Sequence, residues 1–157
     1  MESKIDHPGV YIPPPLLYAA IFLSAVFIQR FIPLNKNFFY TTASKVIGVI
    51  IIIISLFFNF PALRQFFKTK NTVITVKPAN SLQTTGIYSV SRNPMYVSLL
   101  LVYTGLSFLI GNWWNLILLP LLVLIIQEYV IKREEKYLVR RFGQQYADYK
   151  TKVRRWL

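Results

Sequence analysis

NPMYVSLLLVYTGLSFLIGNWWNLILLPLLVLIIQ, residues 93–127, contains no charged side chain. One helical crossing of a bilayer takes ~20 apolar residues, because lipid leaves no backbone polar group unpaired. This stretch is long enough for two. Gly111-Asn112-Trp113-Trp114-Asn115 interrupts it with turn formers and interfacial aromatics. The reading is therefore a hairpin of two spans, 94–110 and 116–131. Upstream, Val46 to Leu63 is also uncharged and carries an unbroken isoleucine run, giving a span over 46–63. An earlier apolar run over 16–32 opens after Pro13-Pro14-Pro15 and carries Arg30 near its end, where the side chain snorkels. It is not read as a signal peptide, since no small-residue cleavage site follows and the leader is not strongly basic. The expected fold is an all-α integral membrane protein with four transmembrane helices, one domain over residues 1–157.

Composition agrees. Of 157 residues, 54% are hydrophobic and 15% charged, and mean hydropathy is +0.43. A soluble domain carries roughly 25% charged residues. Neither a disordered chain nor an ordinary soluble domain fits. There is no Cys, and one His, so disulfides, thiolate or His-based metal sites, Cys nucleophiles and Ser-His-Asp triads are excluded.

The net charge of +12 is sorted along the chain. Nine Lys and Arg follow Ile131, five lie between the second and third spans, and none lies in the hairpin turn. With four spans, both basic-rich segments share one side, and the positive-inside rule makes that side cytoplasmic together with both termini. The basic residues hug membrane boundaries, which favours attraction to anionic membrane lipid over nucleic acid.

Two parts remain on the cytoplasmic side. Thr72 to Val76 alternates as a short strand, and Leu82 to Thr85 reads as a second extended piece before Gly86, whose place suggests a positive φ. In the tail, Ile131, Leu138, Phe142, Tyr146, Tyr149, Val153 and Trp156 form a helical stripe, with Gly143 as a division point. Glu134 falls on that apolar face, whereas Glu135 is expected to be rotated away and solvated. An inward carboxylate is costly unless it meets a cation or donors. Pairing with Arg92 or Arg133 and binding a donor-rich ligand weigh equally. Glu128 is expected to pair with Lys132, and Pro120 to kink its helix. Tyr88, Tyr137, Tyr146 and Tyr149 read as interface aromatics.

Arg92-Asn93-Pro94-Met95-Tyr96 opens the third span. As a plain helix start, Asn93 caps, Pro94 takes the first turn and Arg92 snorkels. As a functional element, the same helix N-terminus holds an anionic group such as a cofactor carboxylate.

Taken in order, Leu82-x-Thr-Thr-Gly86-x-Tyr88, Arg92-Asn-Pro-Met-Tyr96, Lys132-Arg-Glu-Glu-x-x-Leu138, Phe142-Gly-x-x-Tyr-x-x-Tyr149, Val153 and Arg155-Trp156 form a series. It resembles the isoprenylcysteine carboxyl methyltransferase family in its short bacterial-type form, within a wider membrane group that includes phospholipid methyltransferases. The resemblance covers about Lys68 to Leu157. It implies a bacterial inner-membrane enzyme using S-adenosyl-L-methionine, with a cofactor pocket built at the cytoplasmic face by the loop, the third helix's start and the tail. By position, the family's cofactor contacts fall on Leu82, Gln83, Tyr88, Asn93, Pro94, Met95, Tyr96 and Glu134. The implied acceptor is a lipidic or small hydrophobic molecule entering from the bilayer.

Two positions depart from relatives. Asn93 stands where many carry His, so no acid–base chemistry occurs there. Val130 stands where the eukaryotic prenylcysteine enzymes carry a substrate-contacting Arg, so methylation of a prenylcysteine carboxylate is not expected. Arg92 and Arg133 are the candidate catalytic residues, and no metal is implied. Two other functions compete: an NADPH-dependent reductase resembling the sterol reductases, and a non-enzymatic membrane protein that keeps the fold.

Overall fold

The computed structural model describes residues 7–69 and 78–157 and is all-α, with no strand among the described residues. The strand expected over Thr72–Val76 lies outside them. Over Leu82 to Thr85, expected to be extended, the chain forms no strand; Thr85 is extended at φ −112° and ψ 168° and leads into a 3-10 turn at Gly86–Ser89. Gly86 has φ +62°, as the loop reading anticipates.

Helix α1 (Pro14–Phe31) starts on the proline run with Pro14 in its first turn. Helix α2 (Thr42–Lys68) is capped by Thr41, whose hydroxyl accepts from the Ser44 N–H at 3.2 Å. At 1.5 Å per residue, its 27 residues extend about 40 Å. Helix α3 (Pro94–Ile110) ends where Gly111 turns left-handed at φ +73°; a Cβ there would also lie 2.7 Å from that of Phe39. Asn112 at once caps the returning arm, accepting from the Trp114 N–H at 2.9 Å. The hairpin turn is thus shorter than expected. Trp113 and Trp114 already belong to the next helix, and their indole N–H groups donate to the Asn35 and Ile32 carbonyls.

From Trp113 the helical path runs on to Phe142 in pieces: α4 (Trp113–Ile117), α5 (Leu119–Ile125), a π-helical stretch (Ile126–Ile131) and α6 (Lys132–Phe142). The break at Leu118 comes two residues before Pro120, which cannot donate the backbone bond a regular helix needs. Gly143 separates α6 from α7 (Gln144–Lys152). Glu128 and Lys132 pair at 2.6 Å, as expected from their spacing.

Lipid offers no hydrophobic gain for bringing helices together, so close packing relies on small residues. Helices α2 and α3 cross at Gly48 and Gly105: a Cβ on Gly105 would sit 2.8 Å from the Gly48 carbonyl and 2.6 Å from Ile52. Ser44, Ser55 and Ala62 continue the buried edge of α2, while its large side chains point outward, Phe57 and Phe60 being more than 70% exposed. A face this apolar suits lipid rather than water. Helices α1 and α2 are long and apolar enough to cross a membrane, and α3 is a shorter apolar helix of 17 residues. Val10 from the leader, Tyr18, Tyr103, Leu122, Ile126, Val130 and Ile131 form the core that joins α1, α3 and the returning arm.

Candidate functional site

A cavity of about 580 Å³ opens where the leader, the loop from Ala79, the start of α3, α6 and α7 converge. That volume falls within the ~300–1,000 Å³ of small-molecule sites. Leu82, Gln83, Tyr88, Asn93, Pro94, Met95, Tyr96 and Glu134 all line it, together with Arg92. Pro8, Tyr11 and Pro13–Pro15 from the leader, Asn59, Leu63 and Phe66 of α2, and Glu135, Tyr137, Tyr146 and Tyr149 from the tail also line it.

The start of α3 is built differently from a plain capped helix. Pro94 takes the first turn, but the Asn93 side chain makes no cap. Its Nδ2 donates instead to the Arg155 carbonyl at 2.9 Å, and the Arg92 N–H donates to the Arg154 carbonyl at 3.0 Å. The chain's last residues therefore lie against residues 92–93. Nor does Arg92 snorkel. Its side chain is 9% exposed and contacts Glu135 Oε1 at 3.1 Å, while its Nε is buried without a hydrogen-bond partner among the described residues.

Glu135 corrects the sequence reading. It is buried rather than solvated, and accepts a fork from Arg155: Nε to Oε1 at 2.9 Å and Nη2 to Oε2 at 2.8 Å. That bond raises the Arg155 guanidinium further above its usual range. The error was one of phase. At ~100° per residue, Glu134 lies ~60° to one side of Ile131 and Glu135 ~40° to the other, so both carboxylates flank the apolar stripe. That arithmetic is available from sequence, and it would have found Glu135.

Glu134 is partly buried and faces the cavity as expected. The Tyr96 hydroxyl donates to its Oε1 at 2.7 Å, and no cation pairs with it among the described residues, because Glu135 takes both nearby arginines. Desolvation pushes its carboxyl up to about 7; the Tyr96 bond opposes this, and the neighbouring Glu135 charge adds to it.

The four tyrosines assigned to the interface are buried. The Tyr149 hydroxyl donates to the Tyr88 carbonyl at 2.6 Å, and the Tyr137 hydroxyl accepts from the Ala79 N–H at 2.8 Å, so α6 and α7 hold the loop. The Tyr88 ring stacks on Phe66, and its hydroxyl is buried with no partner among the described residues. Such orphaned donors are uncommon inside proteins. Arg133 does not reach the cavity: it donates to the Gly9 carbonyl at 3.0 Å and lies over the Tyr129 ring. The leader's share of the wall had no periodic signal to reveal it. No group of His, Cys, Asp and Glu suited to a metal ion occurs among the described residues.

A family model described as phospholipid methyltransferase matches residues 43–145. An uncharacterized protein of Haemophilus influenzae is 44% identical over 66 residues, covering 40% of this chain and all of that protein. The protein-S-isoprenylcysteine O-methyltransferase of Schizosaccharomyces pombe is 38% identical over 72 residues, 46% of this chain. That of Saccharomyces cerevisiae is 28% identical over 123 residues, 75% of this chain. The chain spans 30% and 52% of those two yeast proteins. No solved structure matches.

Proposed function

The chain belongs to the phospholipid methyltransferase family, and from that premise we propose that it transfers a methyl group from S-adenosyl-L-methionine to a lipidic or small hydrophobic acceptor at the cytoplasmic membrane face. The observation that carries this reading is the meeting of all eight expected cofactor positions in one cavity. The side chains fit the cofactor. Glu134, an acceptor without a cation, suits its ammonium or ribose hydroxyls, and the unpartnered Tyr88 hydroxyl and Arg92 Nε offer donors.

The cofactor, when bound, supplies an electrophilic methyl group on a sulfonium. The protein's part is placement and dryness. Leu82, Gln83 and the turn Asn93–Tyr96 wall the cofactor, and buried Tyr137, Tyr146 and Tyr149 keep water from behind it. Pro13–Pro15, Leu63 and Phe66 lie on the side of the long apolar helices, so the acceptor reaches the cavity from lipid. Of the two candidate catalytic arginines only Arg92 lines the cavity, and its guanidinium pairs with Glu135. Val130 is buried in the core and is not among the residues that line the cavity, so that position offers an acceptor carboxylate no cation.

The accompanying topology has four spans and both termini in the cytoplasm. Supporting it, the α1–α2 connection meets the hairpin at one end of the helices, while the leader, loop and tail meet at the other. Thermal shift of the detergent-purified protein tests the function. S-adenosylmethionine and S-adenosylhomocysteine should each stabilise it. Stabilisation by NADPH alone favours a reductase, and by none of the three a non-enzymatic role.

A further inference from the structure

The start of α3 and the end of the chain are joined by two kinds of bond. Backbone and amide bonds run from Arg92 and Asn93 to the Arg154 and Arg155 carbonyls. Beneath them, Glu135 on α6 holds the Arg155 fork and the Arg92 guanidinium at once. Trp156 continues the contact, donating from its indole to Gln127 Oε1 at 3.2 Å on the returning arm.

One carboxylate thus connects three separate pieces of chain, two of which, Arg92-Asn93 and α6, line the cavity. Both guanidiniums would repel each other without it, and a buried cation left unpaired is strongly unfavourable. The same pairing withholds both arginines from Glu134, which leaves that carboxylate free for a ligand.

We infer that Glu135 is a positioning residue: by gripping Arg92 and Arg155 it fastens the C-terminal segment 153–157 across the start of α3, and the cofactor cavity keeps its shape only while that strap is closed. This rests on the methyltransferase reading for the identity of the ligand, but the fastening itself does not.

Two measurements separate the two claims, made on full-length wild type, Glu135→Gln and Arg155→Lys. The first is hydrogen exchange of the Arg92 amide without ligand. Its bond to the Arg154 carbonyl protects it in the wild type, and exchange should quicken about tenfold or more in Glu135→Gln, with amides in the middle of α3 unchanged. The second is S-adenosylhomocysteine affinity across pH. Both variants should bind about tenfold to a hundredfold more weakly, the span of one lost charge-assisted hydrogen bond. In Glu135→Gln the midpoint set by Glu134, which faces Tyr96 from α3 and Tyr88 from the loop, should also move to lower pH, because a like charge has gone. Arg155→Lys keeps the charge and loses the fork, so it decides the matter if Glu135→Gln does not fold. Unchanged Arg92 exchange in the folded variants overturns the inference, as does unchanged affinity in variants of a wild type that binds. If the wild type does not bind S-adenosylhomocysteine, the methyltransferase reading fails, and faster Arg92 exchange in the variants still upholds the strap.

Discussion

Tyr96 on α3 donates its hydroxyl to Glu134 on α6 at 2.7 Å, across the cavity wall, and no cation among the described residues pairs with that carboxylate. Burial places the carboxyl at about 7, above the 4.5 of a free side chain, so the folded protein holds a proton that the unfolded chain releases. The sign follows: this group's contribution to stability is complete below about pH 4.5 and declines as pH rises to about 7. Across that window the ligand-free protein should lose on the order of 3 kcal/mol through Glu134. Glu134→Gln should flatten the fall, as melting in detergent from pH 5 to 8 will read. A ligand that donates to ionised Glu134 should bind more tightly as pH rises over the same window.

Tyr88→Phe should separate binding from stability. The hydroxyl has no partner among the described residues, so removing it takes away a buried unsatisfied donor and should leave melting unchanged or slightly higher. If a ligand satisfies it, S-adenosylhomocysteine should bind roughly threefold to tenfold more weakly by calorimetry, the worth of one neutral hydrogen bond.

Gly105→Ala should loosen the main helix pair. The new methyl would sit 2.6 Å from Ile52 Cγ1 and 2.8 Å from the Gly48 carbonyl, and backbone cannot step aside as a side chain can. A loss of about 1–3 kcal/mol is expected, read as earlier thermal unfolding.

Topology can be tested without background, because the chain has no cysteine. Tyr40→Cys lies near the α1–α2 turn and Lys150→Cys in α7, both at exposed positions. An impermeant thiol reagent on intact cells should label the first and spare the second until lysis.

The helices were legible because charge-free blocks and prolines mark spans plainly: Pro14 and Pro94 open α1 and α3, and Gly111 closes α3. Part of the cavity was legible, the residues from Leu82 to Tyr96 and Glu134, because they sit in short ordered motifs; the leader and α2 residues of its wall carry no such motif. What stayed hidden has physical causes. Asn93 looked like a cap, yet its amide serves the Arg155 carbonyl 62 residues away, a partner no local pattern indicates. Tyr137, Tyr146 and Tyr149 suit an interface and a packed wall equally well; in the fold all three are buried, Tyr137 and Tyr149 bonded to the loop at Ala79 and Tyr88. The π-helical stretch before α6 left no mark in the pattern of side chains.

Photolabelling reads cofactor identity and cofactor site in one experiment. The protein is irradiated with S-adenosylmethionine carrying a labelled methyl group, and the modified peptides are mapped. A saturable adduct is expected within residues 82–96 or 134–149, displaced by S-adenosylhomocysteine and not by NADPH. A saturable adduct elsewhere in the chain, or labelling in those segments that only NADPH displaces, would contradict it.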